Sequence, residues 1–442
     1  MIQNQPRSYR YIPLLAGGIW ILVVWAQIIF EIQRGDFYNH WEFGRRFAAG
    51  TFIYEGGLNF VYPPLWAMVH APLTLVSVRL AKILVYPLAP LSIVGLLWVL
   101  DRLARGHLPC APNRVFWATV LAVFLASPFL VRDLPEVGVN TALVALSWVA
   151  IYAWKEHHEP CGGVCLGLAA ALKCTPLLFI AWFALKRQWR MAGWAALATA
   201  LFTLAPLAFM GPSAYGRSMH HWLVHVVAGI NDPDPSRGPL GEEKVENLAL
   251  RPALARYLMH LPYGHLGRPE SSDEPARPHR PPNQYYRQFL DLSPSQAGWV
   301  VRTVMVGLLL PLVWAFRHSP QSRADPSFLW EGAVISLLIL LYSPVTWKQH
   351  CVGVVPALYL ICRAALADLP VPRTALCMVG AYTFLVVALN RGVVGQDLTK
   401  LLDSYRIKTL ALLLLLAATL MVRRSLLRLP AGARRPEDRR GR

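Results

Sequence analysis

Charge is scarce in this chain. Only 15% of its 442 residues are Asp, Glu, Lys or Arg and 55% are hydrophobic, whereas soluble domains carry about 25% charged residues. A pair of soluble domains, the usual expectation at this length, is therefore excluded. Apolar blocks recurring from Ile12 to Val422 argue instead for an all-α polytopic membrane protein built as a single domain over 1–442. Acidic side chains are scarcer still, 25 against 43 Lys and Arg, for a net charge of +18. Many of the bases flank apolar segments as orientation anchors do. With no RNA- or DNA-binding motif beside them, nucleic acid is not an expected partner. A cysteine framework is missing too. Cys110, Cys161, Cys165, Cys174, Cys351, Cys362 and Cys377 lie nearly all in or beside apolar segments, which suits packing rather than disulfides or zinc. Gly162-Gly163 is not followed by the Gly-Lys-Ser/Thr of a phosphate loop, and no His-Glu-x-x-His is present, so nothing implies a bound nucleotide, metal or other cofactor.

What is there is a succession of apolar segments. The stretch from Tyr11 to Phe30 is too long for the apolar core of a signal peptide and no small-residue cleavage site follows it, so it reads as the first span. Spans are expected at 11–31, 81–100, 115–131, 139–154, 161–173, 174–185, 191–211, 297–316, 327–343, 350–366, 373–389 and 406–422, about 12 transmembrane helices, several shorter than the roughly 20 residues of an upright crossing. The pair 161–173 and 174–185 reads equally as one helix kinked before Pro176. If both cross, Lys186, Arg187 and Arg190 fall on the same side as Arg7, Arg10, Arg102, Arg105, Arg114 and the basic tail 423–442. The positive-inside rule then makes both termini cytoplasmic.

That orientation turns 32–80, 132–138, 212–296, 344–349 and 390–405 outward. The first outer loop, 32–80, mixes aromatics and charges with a short apolar run from Leu65 to Val78, as an interfacial helix would. The large outer loop, 212–296, is rich in proline and histidine; short helices are expected in it, and mobility from Arg268 to Pro282.

The candidate site residues lie in these outward segments or next to them, and each has a plain structural alternative. Asp36 follows the first span and precedes Phe37 and Tyr38; it reads as a helix cap or as a general base at the membrane boundary. Glu42 and Glu55 share that ambiguity. Tyr62-Pro63-Pro64 fixes a bend, with the Tyr62 hydroxyl available to a headgroup. Lys173 stands in an apolar stretch, either snorkelling or pairing with a lipid phosphate. Ser343 to His350, SPVTWKQH, packs Trp347, Lys348 and His350 together, as an interfacial belt or as groups that stabilise a departing phosphate. His221 and His225 stand one turn apart without a third ligand, and Asp232-Pro233-Asp234 is a nominal metal-diphosphate motif in a proline-rich loop.

Six fragments, DFYNHW, FVYPPLWAMVHAPL, VGVNTALVAL, GLAAALKCTPLL, VENLALRPAL and SPVTWKQH, run in this order from about residue 34 to 366. Together they resemble glycosyltransferase family 87. The resemblance implies the GT-C architecture of multispanning glycosyltransferases and a polyprenyl-phosphate sugar donor, typically mannose, used on the outer face. It implies that Asp36 is the counterpart of the aspartate in the first outer loop and that His350 matches the histidine of the last motif. The chain departs from the family pattern at three places. Val137-Gly138 stands where Gly-Gln is expected before the asparagine, Ala249 replaces a serine, and Gln349-His350 replaces a common pair of histidines.

The expected reaction is a single inverting displacement, since a lipid phosphate already leaves readily and no protein nucleophile is needed. Asp36 accepts the acceptor hydroxyl proton. Lys173, Lys348 and His350 stabilise the phosphate, and Tyr62, Asn140, Asn247 and Trp347 position sugar or acceptor. The expected partners are a polyprenyl-phosphate sugar donor, a lipid or glycan acceptor, and the plasma (inner) membrane, with the active site on its periplasmic or extracellular face. A lipid-linked-sugar flippase and a non-catalytic family member are the competing readings.

Overall fold

The computed structural model describes residues 11–30, 36–55, 61–239, 241–242, 246–260, 288–318, 323 and 325–428. Residues 32–35 of the first outer loop, the 268–282 stretch and the tail beyond 428 lie outside them.

Long apolar runs fold as helices because a bilayer offers no partner for backbone N–H and C=O groups. The first run forms α1 (Tyr11–Ile29). The segment after it supplies the short helices α2 (Phe37–Ala48) and α3 (Pro64–His70), the latter opened by Pro64, whose missing N–H is no loss in a first turn. A single 3-10 turn, Ala71–Leu75, leads into α4 (Val78–Val85) and α5 (Leu88–Ala104), which together make one crossing. The bundle continues through α6 (Pro112–Asp133), α7 (Val139–Lys155), α8 (Glu159–Leu172), α9 (Leu177–Leu185), α10 (Trp189–Leu204) and α11 (Leu207–His221). The large outer loop holds a two-residue ladder pairing Arg237–Gly238 with Gly241–Glu242, then α12 (Leu250–Leu258). After α13 (Pro294–Phe316), whose first turn is closed by a Ser293–Gln296 capping box, come α14 (Ser327–Tyr342) and α15 (Val355–Leu366). The chain ends in α16 (Arg373–Thr383), α17 (Arg391–Val394), α18 (Gln396–Ser404) and α19 (Ile407–Leu427).

Helices therefore occupy all twelve expected apolar segments, but among the described residues six are long and apolar enough to cross a membrane, or seven if α10 and the α11 segment, bent by 81°, count as one. A count of about twelve crossings is not confirmed. The 161–185 stretch is two helices, α8 and α9, broken at Lys173–Pro176. α8 packs on α10 through a glycine face: a Cβ at Gly163 would stand 2.4 Å from that of Trp194, so only glycine permits the approach. α14 and α15 are buried along almost their whole length and form the centre of the core. Because successive long helices alternate in direction, the start of α2, the α6–α7 and α8–α9 turns, and the α14–α15 strap meet at one end of the bundle. That end carries the site.

Candidate active site

The α6–α7 turn is the anchor of this end. Asp133, 1% exposed, accepts both the Asn140 side-chain amide at 2.9 Å and the Thr141 hydroxyl at 2.6 Å, as well as the Thr141 N–H at 3.0 Å. To wrap back in this way the chain places Val137 and Gly138 in the left-handed region, at φ 66° and 64°. For a β-branched residue that is strained backbone. Asn140, aligned by Asp133, accepts from Lys173 Nζ at 3.0 Å. Lys173 stands in the α8–α9 break, its ammonium 5.8 Å above the Tyr62 ring. Its nearest partner is thus an amide and not a carboxylate, which leaves its charge available to an anion.

The turn also holds Asp36. The Glu136 carboxylate accepts the backbone N–H groups of Asp36 at 2.6 Å and Phe37 at 3.3 Å, where the free donors of the α2 N-terminus favour a negative charge. Asp36 itself is exposed, and one of its carboxylate oxygens accepts from the Gln349 side-chain amide at 3.1 Å. Residues 313 positions apart are joined by that contact.

Gln349 belongs to the strap between α14 and α15. Asn247 fastens this strap: its amide donates to the Pro344 carbonyl at 3.0 Å and accepts the Thr346 N–H at 2.9 Å, while the Leu248 N–H reaches the Thr346 carbonyl at 2.7 Å. At 1% exposure Asn247 is occupied with backbone, not turned toward a ligand. His350 Nδ1 lies 3.1 Å from the Trp347 N–H and 3.2 Å from the Val345 carbonyl, so either tautomer satisfies one of the two. Lys348 pairs with Asp403 at 2.6 Å, and Asp403 also pairs with Lys408, two cations on one carboxylate.

Asn140, Lys173 and His350 line one cavity of about 50 Å³, together with Ser343, Thr346 and the apolar side chains of Leu143, Phe179 and Ile339. Beside it stands an aromatic cluster. Tyr62 stacks on Trp66 at 4.2 Å, and His40 meets the edges of both rings. Burial raises the Tyr62 hydroxyl above the usual phenol range, and the field of Asp36, Asp133 and Glu136 adds to the shift.

Four of the expected residues, Asp36, Lys173, Asn140 and His350, thus meet around the cavity and the strap that closes it, with Tyr62 beneath the Lys173 ammonium. Glu42 is held by Arg45 at 2.7 Å and Arg46 at 3.3 Å, the Arg45 hydrogen bond drawing its carboxyl below the usual range. Asp232 and Asp234 cap their own turn by accepting the N–H groups of Asp234 and Ser236. His221 lies 4.4 Å from His225 but stacks under Tyr54, and among the described residues no group of three His, Cys, Asp or Glu converges. Asp133, Glu136 and His40 were not singled out from the sequence, and Gln349 stood out only as a departure from the family pattern. The one available signal was the four-residue spacing of Asp36 and His40, which places both on one helix face.

Comparison with known proteins fits this geometry. Glycosyltransferase family 87 matches residues 60–344, which takes in the α6–α7 turn, Lys173 and Asn247 but stops short of Asp36 and the end of the strap. Two curated relatives are polyprenol-phosphate-mannose-dependent alpha-(1-2)-phosphatidylinositol mannoside mannosyltransferases. The one from Mycobacterium tuberculosis is 26% identical over 79% of this chain and 74% of its own length. The one from Mycolicibacterium smegmatis is 28% identical over 83% and 78%. With the α6–α7 turn, the Lys173 break and the helices from α3 to α14 inside a family match that spans more than half of its length, this chain belongs to glycosyltransferase family 87 and is a membrane glycosyltransferase.

Proposed function

We propose that the enzyme transfers mannose from a polyprenyl-phosphate donor to a hydroxyl of a lipid or glycan acceptor, with inversion, on the outer face of the plasma membrane. The observation that carries this reading is the meeting of Lys173, Asn140 and His350 at one cavity whose closing strap touches Asp36 through Gln349. A cation that no carboxylate pairs with among the described residues suits a lipid phosphate, and an exposed carboxylate nearby suits an incoming hydroxyl. The relatives' donor and acceptor names support the choice of mannose and of a lipid acceptor.

In this reading the acceptor oxygen attacks the anomeric carbon as the bond from that carbon to the phosphate oxygen breaks. The hydroxyl proton passes to Asp36, and the bonding electrons leave with the polyprenyl phosphate, whose growing charge is met by Lys173 and His350, with Lys348 nearby. Tyr62, Asn140 and Trp347 border the sugar. Lys and Arg gathered at the opposite end of the bundle support cytoplasmic termini and an outward-facing site.

Membranes holding wild type or Asp36→Asn, given radiolabelled polyprenyl-phosphate mannose and extracted lipid and glycan, test the reading. Label entering a new glycolipid only with wild type is the expected result. Labelled donor crossing between leaflets with no new glycosidic bond would overturn it in favour of a flippase.

A further inference from the structure

His40 and His70 have no part in the chemistry above. α2 and α3 bring them together because Gly44 lacks a side chain: a Cβ there would lie 2.5 Å from the His70 carbonyl carbon. The two imidazole centroids are 5.5 Å apart, and each residue is 8% exposed. Their protons are placed by a shared neighbour. Trp66 Nε1–H can only donate, and it points to His40 Nδ1 at 3.1 Å, so the neutral His40 ring carries its proton on Nε2. The Trp66 carbonyl can only accept, and it lies 2.8 Å from His70 Nδ1, so that nitrogen is protonated and His70 Nε2 keeps a lone pair. One tryptophan sets opposite tautomers in adjacent rings. Burial, the largest influence on both, keeps the rings neutral, with His70 lowered to about 4. Among the described residues no hydrogen bond reaches either Nε2, and neither is among the fully buried side-chain atoms that lack a partner, so each stays open to a ligand or to water.

We propose that His40 and His70 form a binding site for one sugar hydroxyl, which accepts from His40 Nε2–H and donates to His70 Nε2. An oxygen about 2.8 Å from each nitrogen can bridge rings at this separation. A phosphate oxygen has no hydrogen for His70, and an ammonium has no lone pair for His40; a hydroxyl has both. The stacked Tyr62 and Trp66 rings supply an apolar face beside the pair, and Lys173, the cation proposed to meet the phosphate, stands over Tyr62. The hydroxyl belongs either to the donor's mannosyl group or to a sugar of the acceptor. This inference rests on the glycosyl-transfer reading.

The test compares polyprenyl-phosphate mannose with its 2-, 3-, 4- and 6-deoxy forms, and a phosphatidylinositol mannoside acceptor with its deoxy forms. The full-length protein is used as wild type, His40→Phe, His70→Phe and His40→Gln. Removing one hydroxyl is expected to lower wild-type kcat/KM roughly 10- to 100-fold. The Phe variants lose a similar factor with the parent substrate and nothing further with that deoxy form. His40→Gln, whose amide N–H reaches the same position, recovers part of the loss. A sensitive deoxy donor places the hydroxyl on the donor; a sensitive deoxy acceptor places it on the acceptor. If every deoxy form stays within about 3-fold of its parent in wild type, or the Phe variants lose the same factor with all substrates, the site is refuted. Thermal stabilisation by each ligand is measured alongside. If wild type transfers no mannose, the transfer reading fails and this second measurement judges the site: stabilisation that depends on one hydroxyl supports it, and equal or absent stabilisation across the set overturns it.

Discussion

At the end of the bundle away from the cavity, Glu331 is wholly buried and is met by Lys186 at 2.9 Å, Arg423 at 2.6 Å and the Trp182 indole N–H at 3.1 Å. Asp101 is likewise shared by Arg363 at 2.5 Å and Arg105 at 2.6 Å. At the cavity end, Lys173 meets an asparagine, Asp36 meets a glutamine, and Lys348 divides one carboxylate with Lys408. The first arrangement repays the desolvation of its charges internally and ties α9, α14 and α19 together. The second leaves charge that the protein itself does not neutralise, which suits binding and chemistry. Removing a charge at the two ends should therefore have opposite consequences.

The largest effect is expected for Asp36→Asn, which keeps the shape and the Gln349 contact but cannot take a proton. Its kcat should fall by about 10²- to 10⁴-fold, with thermal stabilisation by donor retained. Loss of donor binding in place of turnover would move Asp36 out of the base role. Glu331→Gln strands the buried Lys186 and the partly exposed Arg423 and should cost about 3–5 kcal/mol of stability, read as a lowered unfolding midpoint with normal activity per folded molecule. Weak activity in a fully stable protein would break the comparison. Lys173→Met should do the reverse, lowering kcat by about 10²- to 10³-fold while leaving the unfolding midpoint unchanged or higher. The smallest effect concerns pH. The folded His70 pKa of about 4 lies below that of an unfolded histidine, so the unfolded chain takes up the proton first. Stability should therefore decline as pH falls from about 6.5 to 4, by up to about 1.4 kcal/mol per unit. His70→Phe should flatten that slope, and an unchanged slope would remove His70 as its source.

Much of this fold could be read from sequence because apolar length and flanking charge are local properties. All twelve apolar segments are helical, and the break at Lys173–Pro176 follows from the proline. The number of crossings could not be read, because α9, with nine residues, is as apolar as a longer helix and differs only in reach. At the site, Asp36 and Lys173 stood out as charges beside apolar runs. Asp133 and Glu136 did not, since acidic residues after a span look like ordinary boundary residues. Their roles arise from bonds to Asn140 and to the start of α2, the latter 100 residues away in sequence. Asn247 entered only through the family resemblance, as a residue that positions sugar or acceptor; its hold on the strap was not legible, because its partners there are backbone groups of another segment.

The contact between Asp36 and Gln349 has one more consequence. The glutamine stands where a histidine is common in the family's last motif, so the residue against the carboxylate is one whose charge is the same at every pH. A histidine there would exchange protons with Asp36 and with solvent on its own account. A carboxamide has no ionisation to add, yet by turning over it can donate to a carboxylate or accept from a carboxylic acid. In the proposed reaction the same side chain can thus hold Asp36 before and after it takes the acceptor's proton.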